Sequence, residues 1–467
     1  MFDFTGYTHT YSSFPPSRPV LALKFSSMAG QNEKNTSCSV DLLIVTRPSM
    51  AEAVPDLLKE VTKGVDSLTT GTDENRKDLL VKCRALTQAL ETPRETMADH
   101  CWGQMGAITA IGFGVDSGLW MLMAQNGDKP QKVTDSAVSL GVDPQLLGGF
   151  HLTRRTTLVK FILGRLMRHA CAMGLLVETG EDEYRSTNYT KALSLPQLGH
   201  GYLGLTAATG AGTLRFHEFS RKRGWVNPTD CQDTSLMYAY GTDKNMFSWV
   251  HDLGYGKHLN DYLGGYNIGR PWWMDPCVYP VKERLIVGAD CSPDAPFLVD
   301  IGGNVGHDLA RFHSLYPNTP GKTPGKLILQ DLPMMIPQIE DLDPAIVRME
   351  YDFHHEQPIK GARAYYIHST LHNWSDDVCE SILARVKEAV KPGYSRLLIN
   401  ENVIPHTVAH WEATGLDMMM LTLFSAEERT TAAWYDLVER RAGLKIINIL
   451  GAGNGVESVI ECVNDRL

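Results

Sequence analysis

The apolar positions of this chain keep two different rhythms. Over residues 50–125 they recur at helical spacing: Val54, Leu57, Leu58, Val61 and Val65, then Leu79, Leu80, Cys83, Leu86 and Leu90. A period near 3.6 collects such residues on one helix face and predicts helices. Residues 95–125, ETMADHCWGQMGAITAIGFGVDSGLWMLMAQ, are apolar almost all round. A helix of that kind must bury more than one side, at the centre of a helical domain or at a subunit interface. Residues 134–190 read as a small helix-turn-helix with a wing: two short helices around Gly141, a third in RLMRHACAMGLL, then strand, turn and strand in LLVETGEDEYRST.

From Cys291 the rhythm changes to strand alternating with helix. Strands are predicted at 297–300, 326–330, 346–351, 363–368, 395–400, 445–450 and 457–462. That alternation predicts an α/β fold with a doubly wound parallel sheet. The turn GAGNG (451–455) should join the last two strands into an antiparallel hairpin at the sheet edge. Between the two halves, residues 226–290 crowd aromatic side chains together, Tyr238, Tyr240, Phe247, Trp249, Tyr262, Tyr266, Trp272 and Trp273 among them. They are expected to be part core and part pocket wall for a flat hydrophobic substrate, with Met237 and Met246 as adaptable lining.

Length, charge and cysteines narrow the class. The 467 residues suit two or three domains. Residues 1–45 read as a polar, disordered leader with Met28 as an alternative start, 46–290 as a helical, winged-helix dimerisation and pocket domain, and 291–467 as the catalytic domain. The net charge of −10, and the lack of a basic recognition helix, argue against nucleic-acid binding. No apolar run reaches about 18 residues, so no membrane partner is expected. Nine scattered cysteines without a CxxC pair suggest reduced thiols and a cytoplasmic protein.

The candidate chemistry gathers where the strands should end. FLVDIGGNVG (297–306) reads as strand, tight glycine turn and helix, with Gly302 and Gly303 letting a ligand approach the backbone. Asp331 closes the second strand in LILQDLP, placed to accept ribose hydroxyls. Asp352 and Phe353 follow the third strand, where a carboxylate and a ring suit adenine. His372 lies just past the fourth strand, before a helix opened by Ser375, Asp376 and Asp377, the expected cap. Glu401 ends the fifth strand and Glu428 sits in FSAEERTTAAW. A carboxylate on that imidazole would fix its tautomer and raise its basicity.

Taken in order, VDIGGNVGHDL, LQDLP, YDF, GARAYYIHSTLHNWSDD, LLINENVIP, EERT and VERRAGLKI, with ETPRETMADHCWGQ, NPTD and GRPWWMDP upstream, resemble the fungal-type, class I S-adenosylmethionine-dependent O-methyltransferases of the caffeate and flavonoid methyltransferase superfamily. The resemblance covers roughly residues 90–465. It implies a Rossmann-like catalytic domain, a winged-helix dimerisation domain and a homodimer. It also implies S-adenosyl-L-methionine as cofactor, held by Gly302, Gly303, Asp331, Asp352, Phe353 and His368. His372 would be the general base, flanked by Glu401 and Glu428, for a phenolic or enolic hydroxyl of an aromatic or polyketide-type metabolite. No metal is implied, and no His/Asp/Glu spacing suggests one. An alternative on the same fold is a pericyclase or dehydratase that uses the sulfonium as a fixed charge.

The sequence departs from that pattern in several places. Asn304 replaces a loop glycine, Asn373 an aspartate, and His368 a lysine or arginine. NTPGKTPG (318–325) lengthens the path to Asp331, and GFHLTRRTTLVKFILG (149–164) interrupts the winged helix as a surface insertion or a retained intron.

Overall fold

The computed structural model describes residues 44–68, 72–141, 163–317, 325–451 and 457–465. Nearly all of the expected leader, of the 149–164 insertion and of the NTPGKTPG stretch, and the GAGNG turn past Gly451, lie outside those residues. The chain forms two compact units, one up to Cys101 and one from Trp102 onward.

In the first unit, the helices Val54–Leu68 and Asp73–Leu90 pack together. Helix Pro93–Ala98 follows, opened by a capping box in which Thr92 and Glu95 exchange hydrogen bonds. Each partner satisfies a backbone donor that the helix end leaves free. The single helix expected over 95–125 does not form. A π-helical segment Asp99–Gln104 precedes helix Met105–Asp116, and Gly118, at φ 77°, turns the chain into helix Leu119–Gln125. Trp120 makes the break pay: it is buried against Gly114, and its indole N–H donates to the Ile111 carbonyl at 2.9 Å. No single described helix is long and apolar enough to cross a membrane.

The second unit carries two sheets. Strands β1 (Gln131–Lys132), β2 (Leu176–Gly180) and β3 (Glu183–Ser186) form a small antiparallel one in the order β1-β3-β2. The larger sheet has seven strands: β4 (Pro296–Ile301), β5 (Lys326–Asp331), β6 (Ile346–Glu350), β7 (Ala364–His368), β8 (Arg396–Glu401), β9 (Lys445–Gly451) and β10 (Ser458–Val463). Their order is β6-β5-β4-β7-β8-β10-β9. The first five are parallel, and β10 pairs antiparallel with both β8 and β9. The last strand therefore lies inside the sheet and β9 forms the edge.

Both faces of the sheet are covered, as parallel strands require. Val299, Ile301, Ile367, Leu397 and Ile399 pack on one side with Ile382, Leu383 and Val386 of helix Asp376–Ala389 and with Trp434. Leu298, Tyr366, Leu398 and Val459 pack on the other with Leu309 and Phe312 of helix His307–Leu315 and with Trp273. Of the eight aromatics named in that stretch only Trp273 is buried in the core; Phe247 is exposed and the other six are half-buried. Trp273 stacks on Phe312 and Tyr366, and Met246 lies in a buried cluster with Leu236, Val250 and Phe424. Met237 is buried too.

Candidate active site

The site is built where the parallel strands end. After β4 the chain turns through Gly302 at φ 75°. A side chain at Gly303 would run into Leu329 and the Asp300 carboxylate, so glycine is required there. Asn304 sits at φ 53°, and its N–H donates to Asp331 Oδ2 at 2.7 Å. Asparagine tolerates left-handed backbone better than most residues. That accounts for the departure from glycine: the position needs the conformation and tolerates this side chain. Asp331 Oδ1 accepts the N–H of Leu332 at 2.7 Å. Burial raises the Asp331 carboxyl above the usual range although both N–H groups favour its charged form. Each oxygen keeps a lone pair for a ligand. Past β6, Asp352 accepts the His354 N–H at 3.0 Å, and the Phe353 ring meets Trp374 edge-on at 6.0 Å.

His372 stands in the 3-10 turn Leu371–Asn373 that follows β7. Its Nδ1 lies 2.6 Å from Glu428 Oε1 and 3.5 Å from Glu401 Oε2, with all three side chains buried. Burial works against the charged imidazolium. Glu401 and then Glu428 outweigh it and raise His372 to about 9. Nε2 has no protein partner among the described residues. The ligand atoms of the three lie within 4.8 Å of one another, a clustering that sequence spacing did not suggest. The 2.6 Å contact is a hydrogen bond, shorter than the roughly 3.3 Å between two ligands sharing a tetrahedral ion.

The turn itself is clamped. Glu401 Oε1 accepts the N–H groups of Thr370 and Leu371, both at 2.8 Å. Arg429, fully buried, donates to the carbonyls of Leu371 at 3.1 Å and Trp374 at 2.9 Å, and to Asp376 at 2.9 Å. Ser375 does occupy the N-cap of helix Asp376–Ala389, but its side chain makes no capping bond. The charge of Asp376 is spent on Arg429 and Arg441.

His368, four residues earlier, is placed differently. Nδ1 lies 2.7 Å from Asp308 Oδ2 and Nε2 2.9 Å from Glu457 Oε2. Neither ring nitrogen is left to hold a ligand, which the expected cofactor contact would need. Burial opposes its charge, but Glu457 and Asp308 hold it well above its ordinary value.

Arg429, Asp308 and Glu457 were not singled out in the sequence. Arg429 had a local signal, a cation inside EERT beside Glu428, and Asp308 directly follows the glycine loop. Glu457 had none, because only the sheet order brings it to this edge.

Comparison with known proteins gives the family. The O-methyltransferase domain family matches residues 283–445. The O-methyltransferase mfmE of Annulohypoxylon moriforme is 31% identical over 405 residues, 86% of this chain and 94% of that protein. The demethylsterigmatocystin 6-O-methyltransferase of Aspergillus parasiticus is 31% identical over 73% of this chain and 80% of its own length. Among solved structures, OxaC with sinefungin and meleagrin superposes with a TM-score of 0.74 at 23% identity, over 88% of this chain and 98% of that one. A pericyclic reaction enzyme reaches 0.73 at 24%, over 88% and 99%. Both structural likenesses establish the α/β fold. The sequence relatives go further, and by them this chain belongs to the O-methyltransferase family.

Proposed function

We propose that this enzyme moves the methyl group of S-adenosylmethionine to a phenolic or enolic hydroxyl of a small aromatic or polyketide-type metabolite, with His372 as general base. The observation that carries the reading is the buried His372–Glu428–Glu401 array with Nε2 left open, at the strand ends that also hold the glycine turn. The cofactor, when bound, supplies a methyl group on a positively charged sulfur.

The residues fit that cofactor. The side-chain-free Gly302 and Gly303 leave backbone exposed to its methionine end. Asp331 keeps carboxyl lone pairs to accept ribose hydroxyls, and Asp352 with Phe353 suits the adenine. Glu428 holds Nδ1 and aims Nε2 at the acceptor, while Glu401 fixes the turn and adds negative charge. A conjugate acid near 9 lies close to a phenol's ordinary value of about 10, so proton transfer between them is nearly balanced.

The reading includes a homodimer. Trp102, Met105, Ile108 and Met121 expose apolar surface, and Trp102 is 65% exposed. It also includes a cytoplasmic setting, in keeping with eight free cysteines among the described residues. Incubation with methyl-labelled cofactor and polyketide or phenolic acceptors tests the chemistry. An O-methyl label in the product is expected. A rearranged or dehydrated product without label would overturn methyl transfer and favour the pericyclic reading.

A further inference from the structure

We propose that Glu457 is a positioning residue for His372: from the position just before the last strand it anchors the turn 368–372 that Glu401 anchors from the neighbouring strand. The inference rests on the reading of His372 as the base.

The turn begins where β7 stops. His368 and Ser369 are its first residues, and Ser369 is held at φ 43°, a left-handed backbone that costs serine energy and persists only when its surroundings enforce it. Glu457 supplies the enforcement. Its Oε1 accepts the Ser369 hydroxyl at 2.8 Å, and its Oε2 meets His368 Nε2 at 2.9 Å and Asn400 Nδ2 at 3.3 Å. Thr370 continues the same structure, donating its hydroxyl to the His368 carbonyl at 2.8 Å. Thr370 and Leu371 then give their N–H groups to Glu401.

Register explains why two carboxylates meet one turn. Ser458 pairs directly with Glu401 across β10 and β8, so Glu457 emerges beside Glu401 at the end of the sheet. The turn also touches the glycine loop: a Cβ at Gly302 would lie 3.2 Å from Thr370 Oγ1. The spacing between cofactor loop and base is therefore set by the backbone that Glu457 holds. Shifts of about 1 Å in such a spacing can cost about a hundredfold in rate.

Glu457 also acts through charge. The groups facing His372 are Glu401 from β8, Glu428 from the loop ahead of helix Thr431–Tyr435, and Glu457 from just ahead of β10. Arg429 and Asp376 face Glu401 and the turn, and Asp417 holds the Glu428 N–H. Glu457 itself faces His368 and Ser369 and, from the segment after helix Gly256–Gly265, the Tyr266 phenol and Arg270. Removing its charge takes away one of three carboxylates that favour the His372 imidazolium.

Glu457→Gln keeps the side-chain shape. It should lower kcat about tenfold. It should also move the acidic limb of the kcat–pH profile down by about half a pH unit, while the S-adenosylmethionine Kd stays within about twofold. Ser369→Ala removes the anchored hydroxyl and no charge, so kcat should fall several-fold with the pH midpoint unmoved. A Glu457→Gln enzyme with wild-type kcat and wild-type pH profile overturns the proposal. If that variant does not fold, Ser369→Ala with wild-type kcat overturns it instead. A His372→Ala enzyme that keeps turning over is a separate failure, since it removes the base assignment itself.

Discussion

His368 and His372 stand four residues apart, and each imidazole meets two carboxylates. His368 has Asp308 on one nitrogen and Glu457 on the other, so it joins helix His307–Leu315 to β10. His372 has both Glu428 and Glu401 on the side of Nδ1, which leaves Nε2 open. The same ingredients tie up both nitrogens of one ring and leave the other ring with a free nitrogen, the one proposed as the base. Composition does not separate them; the side from which the carboxylates arrive does.

The sharpest way to break this comparison is to remove each ring in turn. His372→Ala should lower kcat by about 10²–10⁴-fold, the usual worth of a positioned base, with cofactor affinity by calorimetry nearly unchanged. Equal loss of binding and turnover would put His372 in the cofactor site instead. His368→Leu should act first on stability. It removes the imidazole that Asp308 and the buried Glu457 share and leaves them only neutral partners, a defect worth about 3 kcal/mol, readable by denaturant unfolding. A variant as stable as the parent would mean that the cluster contributes nothing to folding.

The open nitrogen also makes a pH prediction. Because His372 is raised from 6.5 to about 9, kcat should climb with pH through a midpoint near 9 and level off above it as the neutral base accumulates. The sign for stability is opposite. A raised histidine stabilises the fold fully below pH 6.5, and that contribution fades as pH rises through about 9. Glu428→Gln should bring both midpoints down together, and a rate profile flat between pH 6.5 and 9 would detach the titration from catalysis.

The smallest expected effect lies away from both histidines. Asn304→Gly should be nearly neutral, because glycine adopts φ 53° freely, whereas Asn304→Ala should cost about 1 kcal/mol and weaken cofactor binding slightly. An alanine variant equal to the glycine one would show that the asparagine side chain, not the backbone, matters there.

Much of the fold was legible because parallel strands buried on both faces spell themselves out as apolar runs. All seven strands of the large sheet begin and end within a residue or so of the predicted positions. The His372, Glu401 and Glu428 set was legible because strand ends of an α/β sheet converge. The helix over 95–125 was not, since composition does not reveal that Trp120 packs against Gly114 and folds the chain back. That both nitrogens of His368 are taken was not legible either, because its two partners come from residues 60 and 89 positions away.

The sequence by itself determined the strands, the glycine turn, the acids at the strand ends and the family, since these follow from local periodicity and residue chemistry. Only the tertiary structure decided which histidine is free. Alternation sends Asn400 toward the face with Asp308, His368 and Glu457, and the next residue, Glu401, toward His372. Insertion of β10 between β8 and β9 then brings Glu457 under the turn. Long-range pairing of that kind leaves no mark in a local pattern.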